Sequence, residues 1–320
     1  MKTRYTLNLF IFLLLLGLWV TPTASAQSQQ FLVGFSQATT TEPWRLLFNK
    51  LLREEAERHP QLRLLVRNAQ DDIQKQIKDV QEFIKRDVDI ILISPKVSTA
   101  LTPVVNQAHK LGIPTIVLDR DLDNDHYTQF IGGDNLEIGR AAGRFVVKQL
   151  GGPGEAQGHI VEIWGGIKST PAHDRHNGFF EIISQEPGIR ILNPMQDGDW
   201  KQDQGYEIMV EALEKHAKID IVYAHNDPMA FGAYLAAKDI GRERQIAFIG
   251  IDGIPQEGVR WVHQGIMKAT FLYQTPGEEA IRQAIKLLNG NAIPKRVTLP
   301  TYAITKHNAE DILKKHGLLK

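Results

Sequence analysis

The sequence predicts an α/β protein of two Rossmann-like lobes, each a doubly wound parallel sheet, joined by a hinge of three chain segments. From Phe31 onward, short β-branched or apolar runs alternate with longer segments of helical period, which is typical of repeated β-α-β units. The alternation begins again in the second half of the chain. A chain of 320 residues is also longer than one core usually organises, which favours two domains.

Residues 1–26 have the features of a removable export signal. Lys2 and Arg4 form a basic start, residues 7–20 are almost wholly apolar, and residues 24–26 read Ala-Ser-Ala, a pattern that signal peptidase accepts. An uncleaved anchor is the less favoured alternative, because a spanning helix needs about 20 apolar residues. The sequence has no cysteine, hence no disulfide and no thiol for lipid attachment. These features predict cleavage after Ala26 and a periplasmic location.

The first half contains predicted strands separated by amphipathic helices. The strands are expected at residues 31–35, 62–66, 90–93, 115–118 and 129–131. The helix predicted over 42–58 places Trp44 on its apolar stripe and ends before Pro60. Helices over 73–86 and 99–111 repeat this design, so that both faces of the sheet are covered.

The second half repeats the first, with strands expected at 159–163, 189–192, 221–223, 246–249 and 268–272. The chain is predicted to cross between the halves near 132–134, near 274–276 and near Pro300, because a strand of one half there runs into a helix of the other. Both lobes are then discontinuous. The predicted units are the leader 1–26, an N-terminal lobe of 27–133 plus 275–299, and a C-terminal lobe of 134–274 plus 300–320.

Charge and motif spacing argue against several other functions. Lys plus Arg and Asp plus Glu both total 37, and no run of basic residues suggests a basic face, which argues against a nucleic-acid binder. Residues 34–38 approach the nucleophile elbow of α/β-hydrolases, but 39–43 intervene before any helix. The alternating aspartates of 119–125 lack the glycine and the final glutamate of a calcium loop, and His173 with His176 lacks a third ligand. We therefore expect no catalysis, no cofactor and no metal.

Polar and aromatic side chains follow the predicted strands repeatedly. In open parallel sheets, ligands bind beyond the carboxyl ends of the strands. The residues there include Ser36, Glu42, Trp44, Arg45, Asp119, Arg120, Asp174, Arg175, Asn226, Asp227, Asp252 and Gln274. Carboxylates accept hydrogen bonds from vicinal hydroxyls, Arg and Asn donate to them, and an indole covers an apolar ring face, so the set suits a carbohydrate. Asp227 alone is expected to be a helix N-cap. The sequence does not decide whether Trp44 and Trp200 pack in the core or line the wall of the ligand site.

Six segments carry a resemblance to a known family. They are Gly34-Phe35-Ser36-Gln37, Leu118-Asp119-Arg120, Gly133-Asp134-Asn135, Asp174-Arg175 with Gly178-Phe179, Ala224-His225-Asn226-Asp227 and Gly250-Ile251-Asp252-Gly253. In this order, across the whole chain after the leader, they resemble periplasmic sugar-binding proteins of the ribose and galactofuranose type, which have the type I periplasmic binding protein fold. A transcriptional repressor with the same fold is an alternative, but it would have an N-terminal DNA-binding domain in the place that the predicted export signal occupies.

The resemblance implies a monomeric protein that closes on a monosaccharide, a pentose or hexose, and delivers it to the permease of an ABC transporter. A histidine kinase ectodomain or chemoreceptor is the alternative membrane partner. The residues that the resemblance places around the ligand are Ser36, Trp44, Arg45, Asp119, Arg120, Asn135, Asp174, Arg175, Trp200, Asn226, Asp252 and Gln274. Glu42 lies in the first loop, where this chain departs from the galactofuranose-binding type.

Overall fold

The computed structural model describes residues 30–320. The predicted leader, residues 1–26, and its cleavage site lie outside the described residues. Within residues 30–320, no helix is both long enough and apolar enough to cross a bilayer.

Strands and helices alternate along most of the described chain. The strands are β1 (Phe31–Gln37), β2 (Leu62–Asn68), β3 (Ile90–Ser94), β4 (Thr115–Leu118), β5 (Gln129–Gly133), β6 (Gln157–Ile163), β7 (Gly188–Ile191), β8 (Ile221–Ala224), β9 (Ala247–Asp252), β10 (Ala269–Leu272), β11 (Arg296–Leu299) and β12 (Ala303–Thr305). The α-helices are α1 (Pro43–Glu57), α2 (Ile73–Lys85), α3 (Ser98–Lys110), α4 (Asn135–Gln149), α5 (Thr170–Ile183), α6 (Gln202–Lys215), α7 (Asp227–Asp239), α8 (Arg260–His263), α9 (Gly277–Leu288) and α10 (Ala309–Lys315).

The strands form two six-stranded sheets. The order of the first is β11-β5-β4-β3-β1-β2, and every neighbouring pair in it is parallel. The order of the second is β12-β10-β9-β8-β6-β7, in which only β12 runs antiparallel to its neighbour. Central strands such as β3 and β4 are buried along their whole length, because helices cover both faces of the sheet. The predicted two-lobe α/β fold is confirmed.

The chain passes between the two sheets three times. After β5 of the first sheet it enters α4, which packs on α5 beside the second sheet. After β10 of the second sheet it enters α9, which packs on α1 beside the first sheet. The passage after β11 differs from the prediction, because β11 runs into another strand, β12, and not into a helix. Neither of these two short strands was predicted.

The contact between α4 and α5 depends on two glycines that let the helix backbones meet. A Cβ at Gly139 would lie 2.3 Å from the carbonyl oxygen of Arg175, and a Cβ at Gly178 would lie 2.0 Å from that of Leu136. Any larger side chain would therefore push the helices apart. This close approach fixes the position of α5, which carries Arg175.

Candidate functional site

A cavity of about 360 Å³ lies between the two sheets, at the carboxyl ends of their strands. The side chains that line it come from both halves of the molecule. They are Glu42, Trp44, Arg45, Asp119 and Arg120 from the first half, and Pro171, Arg175, Trp200, Asn226, Asp252 and Tyr273 from the second.

An ion pair between Arg45 and Asp119 forms part of the first wall. Asp119 follows β4, and its Oδ2 accepts from Arg45 Nη2 at 2.7 Å. Arg45 Nη1 donates to Gln37 Oε1 at 2.7 Å and to Ser94 Oγ at 2.9 Å, so the guanidinium is held in one orientation. Burial acts to raise the pKa of Asp119, but the charges of Arg45 and Arg120 and a hydrogen bond outweigh it, and the pKa lies below its ordinary value. Asp119 is therefore an anion with a fixed geometry.

Arg120 lies beside this pair and reaches toward the opposite wall. Its Nε is 3.8 Å from Asp119 Oδ2, and its Nη1 donates to the carbonyl oxygen of Lys96 at 3.3 Å. Its guanidinium carbon is 5.7 Å from the centre of the Trp200 ring. Burial and the charge of Arg45 lower the pKa of Arg120 to about 10, which still leaves it cationic at neutral pH. The cavity thus contains a second buried cation.

Tyr273 joins the two walls and was not predicted. Its hydroxyl donates to Asp119 Oδ1 at 2.7 Å, and its ring stacks on Trp44 with the ring centres 5.1 Å apart. Trp44 Nε1 donates to the carbonyl oxygen of Tyr273 at 2.7 Å. The sequence analysis placed the neighbouring Gln274 at the ligand, but Gln274 is exposed. Successive side chains of extended backbone point to opposite sides, so an error of one residue exchanges the two.

Arg175 on α5 is the central cation of the second wall. It is only 1 % exposed, its Nε donates to Asn135 Oδ1 at 2.9 Å, and its Nη1 donates to the carbonyl oxygen of His225. Its guanidinium carbon is 4.4 Å from the centre of the Tyr273 ring and 5.3 Å from that of Trp200. Its Nη2 makes no hydrogen bond within residues 30–320. That nitrogen is free to donate to a molecule in the cavity.

Asn226 and Asp227 follow β8, and the capping role predicted for Asp227 belongs to Asn226, which also lines the cavity. Asn226, not Asp227, caps α7, because its Oδ1 accepts from the backbone nitrogen of Met229 at 3.0 Å. Asn226 Nδ2 also donates to the carbonyl oxygen of Trp200 at 2.9 Å. Asp227 is fully enclosed and accepts from the backbone nitrogen of Gly253 at 2.9 Å. Asp227 thus supports the loop that follows β9.

Asp252 ends β9 with its carboxylate in the cavity wall. Its φ of +142° is unusual for a residue with a side chain. Within residues 30–320, no donor hydrogen-bonds its carboxylate, although the residue is only 6 % exposed. Burial, and next the negative charge of Asp227, raise the pKa of Asp252 well above its ordinary value. A buried carboxyl group without a protein partner is a strong attachment point for hydroxyl groups of a ligand.

Trp200 forms the floor between Arg120 and Arg175. Its backbone has a φ of +68°, and the preceding Asp199 has a φ of +43°. The indole lies directly on Gly165, where an added Cβ would be 2.2 Å from the ring. Trp44 and Trp200 are both members of the buried cores and both line the cavity, and their contact with a ligand stays a prediction.

Four residues of the predicted ligand set do not line the cavity. Ser36 lies within β1 and is completely buried, which also separates it from any exposed nucleophile turn. Asn135 holds Arg175 from behind, Asp174 is half-buried on α5, and Gln274 is exposed. The other eight line the cavity, together with Glu42, Pro171 and Tyr273, which were outside the predicted set.

The histidines considered as metal ligands have another arrangement. His176 Nδ1 is 2.9 Å from Glu162 Oε1, and His225 Nε2 is 3.1 Å from the same oxygen. His173 contacts the carbonyl oxygen of Ile167 at 2.7 Å. The described part of the chain, residues 30–320, contains no group of three or more ligating side chains suited to a metal ion.

Comparisons with known proteins agree with this architecture. The family model of the periplasmic binding protein domain matches residues 33–292. The chain is 34% identical over 231 residues to the galactofuranose-binding protein of Escherichia coli (strain K12), covering 70% of this chain and 71% of that protein.

Two solved structures are also similar. One is the fructose-binding periplasmic domain of a hybrid two-component system, with a TM-score of 0.86 and 36% identity over 90% of this chain and 95% of that chain. The other is the binding protein of the arabinose ABC transporter from Shewanella sp. ANA-3, bound to α- and β-L-arabinofuranose, with a TM-score of 0.82 and 30% identity over 89% and 95% of the two chains. The resemblance inferred from the six sequence segments is confirmed, and the chain belongs to the periplasmic binding protein family.

Proposed function

We propose that this protein captures one neutral monosaccharide, in a furanose form, by closing its two lobes around it. The observation that carries the proposal is the cavity of about 360 Å³, whose walls come from both halves and combine two buried tryptophans with cations and carboxylates. Sugars present hydroxyl groups at the ring edge and apolar C–H groups on the ring face, and this lining offers partners for both.

The distribution of charge favours a neutral ligand. Arg45 is neutralised by Asp119 at 2.7 Å, and Asp252 is a carboxyl group that lacks a donor. Arg120 and Arg175 are fixed by backbone or amide acceptors, which leaves donors directed at a ligand. A sugar acid would bring a second negative charge next to the Asp119 anion, which already pairs with Arg45. Hydroxyl groups can accept from the arginines and donate to the carboxylates without that repulsion.

The relatives give the preference for a furanose. A galactofuranose-binding protein, a fructose-binding domain and a protein that holds L-arabinofuranose are each at least 30% identical to this chain. Their names share no single sugar, but two of the three specify a five-membered ring. We therefore assign a furanose ligand and leave the substituents of the ring to the screen described below.

The moving units are the two lobes, 27–133 plus 275–299 and 134–274 plus 300–320, after removal of a leader at Ala26 for export to the periplasm. Ligand that bridges both lobes stabilises the closed state by its greater affinity for that state. The closed protein then docks on the permease of an ABC transporter and performs no chemistry on the sugar. Direct contacts come from the predicted residues that line the cavity, while Asn135 supports Arg175.

A sensor partner is the second candidate, and one observation favours it. The fructose-binding domain that shares 36% identity with this chain belongs to a hybrid two-component system. The two candidates share the same capture step and differ only in the membrane protein that reads the closed state. Genes next to this one that encode a permease and an ATPase support transport, whereas a lone histidine kinase gene supports sensing.

A thermal-shift screen of the mature protein tests the proposed capture. We expect D-fructose, L-arabinose or D-galactose, which equilibrate partly to furanose forms, to raise the Tm, with D-galacturonate as the charged control. Calorimetric titration of each hit should give one site per chain. A profile restricted to uronates, or no response to any monosaccharide, contradicts the proposal.

A further inference from the structure

A ring of four charged side chains closes the mouth of the cleft. Lys96 follows β3, and its Nζ is 2.8 Å from Asp71 Oδ1 on the same lobe and 3.1 Å from Asp199 Oδ1 on the opposite lobe. Lys201 Nζ is 2.6 Å from Asp199 Oδ2 and 4.0 Å from Asp71 Oδ2. The charges alternate around the ring, and its two lobes each contribute one cation and one anion.

The ring is separate from the proposed sugar site but adjacent to it. None of its members lines the cavity of about 360 Å³, whereas all four line an outer cleft that shares Arg120 and Trp200 with that cavity. The Lys96 side chain is only 18 % exposed, and its partner Asp199 is 30 % exposed. Partial burial weakens the screening that makes fully exposed ion pairs ineffective. Burial acts to raise the pKa of Asp199, but Lys201 and Lys96 lower it overall, so Asp199 remains an anion.

Lys96 contacts the cavity wall indirectly from two sides. Its ammonium holds Asp199, the residue before Trp200, and both of these residues have a positive φ. Residues with side chains rarely adopt that conformation unless their surroundings hold it. The backbone carbonyl oxygen of Lys96 accepts a hydrogen bond from Arg120 Nη1 at 3.3 Å, and the Arg120 guanidinium lies over the Trp200 ring. One residue of the first lobe thus supports both members of the Arg120–Trp200 contact.

We propose that Lys96 is a positioning residue, which fixes the Asp199–Trp200 turn across the cleft and stabilises the closed state before and after ligand enters. This inference rests on the proposed capture by closure, but it concerns residues that do not touch the sugar. It predicts that the affinity for an uncharged sugar depends on ionic strength, because salt screens the ring and not the ligand.

The first arm of the test uses the ligand-free protein. The sequence has no cysteine, so Lys85→Cys and Glu214→Cys place one exposed label on each lobe without background. Single-molecule energy transfer then measures the closed population between low salt and 1 M NaCl. We expect the closed population to fall with salt in the parent protein, to be low at every salt concentration in Lys96→Met, and to be restored by Lys96→Arg.

A matched control removes an ion pair that stays within one lobe. Arg67 Nη2 is 2.8 Å from Glu82 Oε1, with 31 % exposure of the arginine side chain. Arg67→Met should leave the closed population and its salt dependence unchanged. A closed population that does not respond to salt in the parent protein, or that is equal in Lys96→Met and the parent, overturns the proposal.

The second arm measures sugar release by stopped flow, with D-fructose as the probe. We expect Lys96→Met to raise koff about fivefold at low salt, with the two proteins converging at 1 M NaCl and the Tm nearly unchanged. Equal koff values at low salt contradict the positioning role. Failure of every sugar to bind refutes the proposed function alone, because the ligand-free arm decides the role of Lys96 independently.

Discussion

Replacing Arg175 by methionine removes the central cation of the cavity while keeping most of the volume of the side chain. Arg175 Nη2 has no hydrogen-bond partner within residues 30–320, so we expect it to donate to the ligand. A hydrogen bond from a charged group contributes about 1.5–3 kcal/mol. Loss of one or two such bonds in a desolvated cleft should weaken binding by about 2–4 kcal/mol, or roughly 30- to 1,000-fold in Kd.

The same substitution should change stability much less than binding. Arg175→Met leaves Asn135 Oδ1 and the carbonyl oxygen of His225 without their donor, which costs about 1–3 kcal/mol for each group. The substitution also has a stabilising effect, because it removes a buried cation that has no carboxylate within 4.0 Å among residues 30–320. Such a charge carries a desolvation cost of several kcal/mol. We therefore expect Tm to change by no more than about 5 °C.

Calorimetric titration with the sugar found in the screen, paired with thermal unfolding, checks both expectations. Arg140→Met is the matched control, because Arg140 pairs with Glu181 at 2.8 Å on the surface of α4 and α5, away from the cavity. The control should bind as tightly as the parent protein. A Kd for Arg175→Met within threefold of the parent value, in a folded protein, would refute the role assigned to this guanidinium.

Three further perturbations follow from the structure. Trp44→Ala should lower both Tm and affinity, with a loss of about 3–5 kcal/mol in stability, because the indole belongs to the core and also lines the cavity. As a control, Trp261→Ala removes a ring that stacks on Phe231 away from the cavity and should lower Tm alone. Gly165→Ala places a Cβ 2.2 Å from the Trp200 ring and should weaken binding at least about tenfold, so unchanged affinity would show that the indole is not needed there. Burial raises the pKa of Asp227 to about 7, above its value of about 3.9 in the unfolded chain. Between these two pH values the folded state binds more protons than the unfolded state. The free energy of unfolding should therefore fall as the pH rises from about 4 to about 7. Urea titrations should show a flatter pH dependence for Asp227→Asn, and an identical slope would contradict the shift.

The fold could be predicted because the sequence periods are strong where the strands are buried. The wholly buried β3 and the amphipathic α1 lie close to their predicted bounds. The strands β11 and β12 were missed because they are short and lie at the edges of the sheets, where one side of each strand has no neighbour. Edge strands need little apolar alternation, so their sequences resemble those of loops.

The site was predictable as a set of strand ends but not in its individual contacts. Tyr273 lines the cavity where its neighbour Gln274 was expected, and the cap of α7 is Asn226, not its neighbour Asp227. Lys96 could not be singled out, because its partner Asp199 is 103 residues away and joins it only through the packing of the two lobes. Periodicity locates elements, whereas these contacts depend on tertiary structure.

The pairing of β11 with β5 has a consequence for how the polypeptide matures. Arg296 of β11 pairs with Phe130 of β5, so the first sheet stays incomplete until nearly the entire polypeptide has been synthesised. Closing so long a loop is slow, because its entropy is lost before the strand contacts form. The edge strand β11 can therefore join the first sheet only late in synthesis, and we expect this lobe to reach its full stability only once residues 296–299 are available.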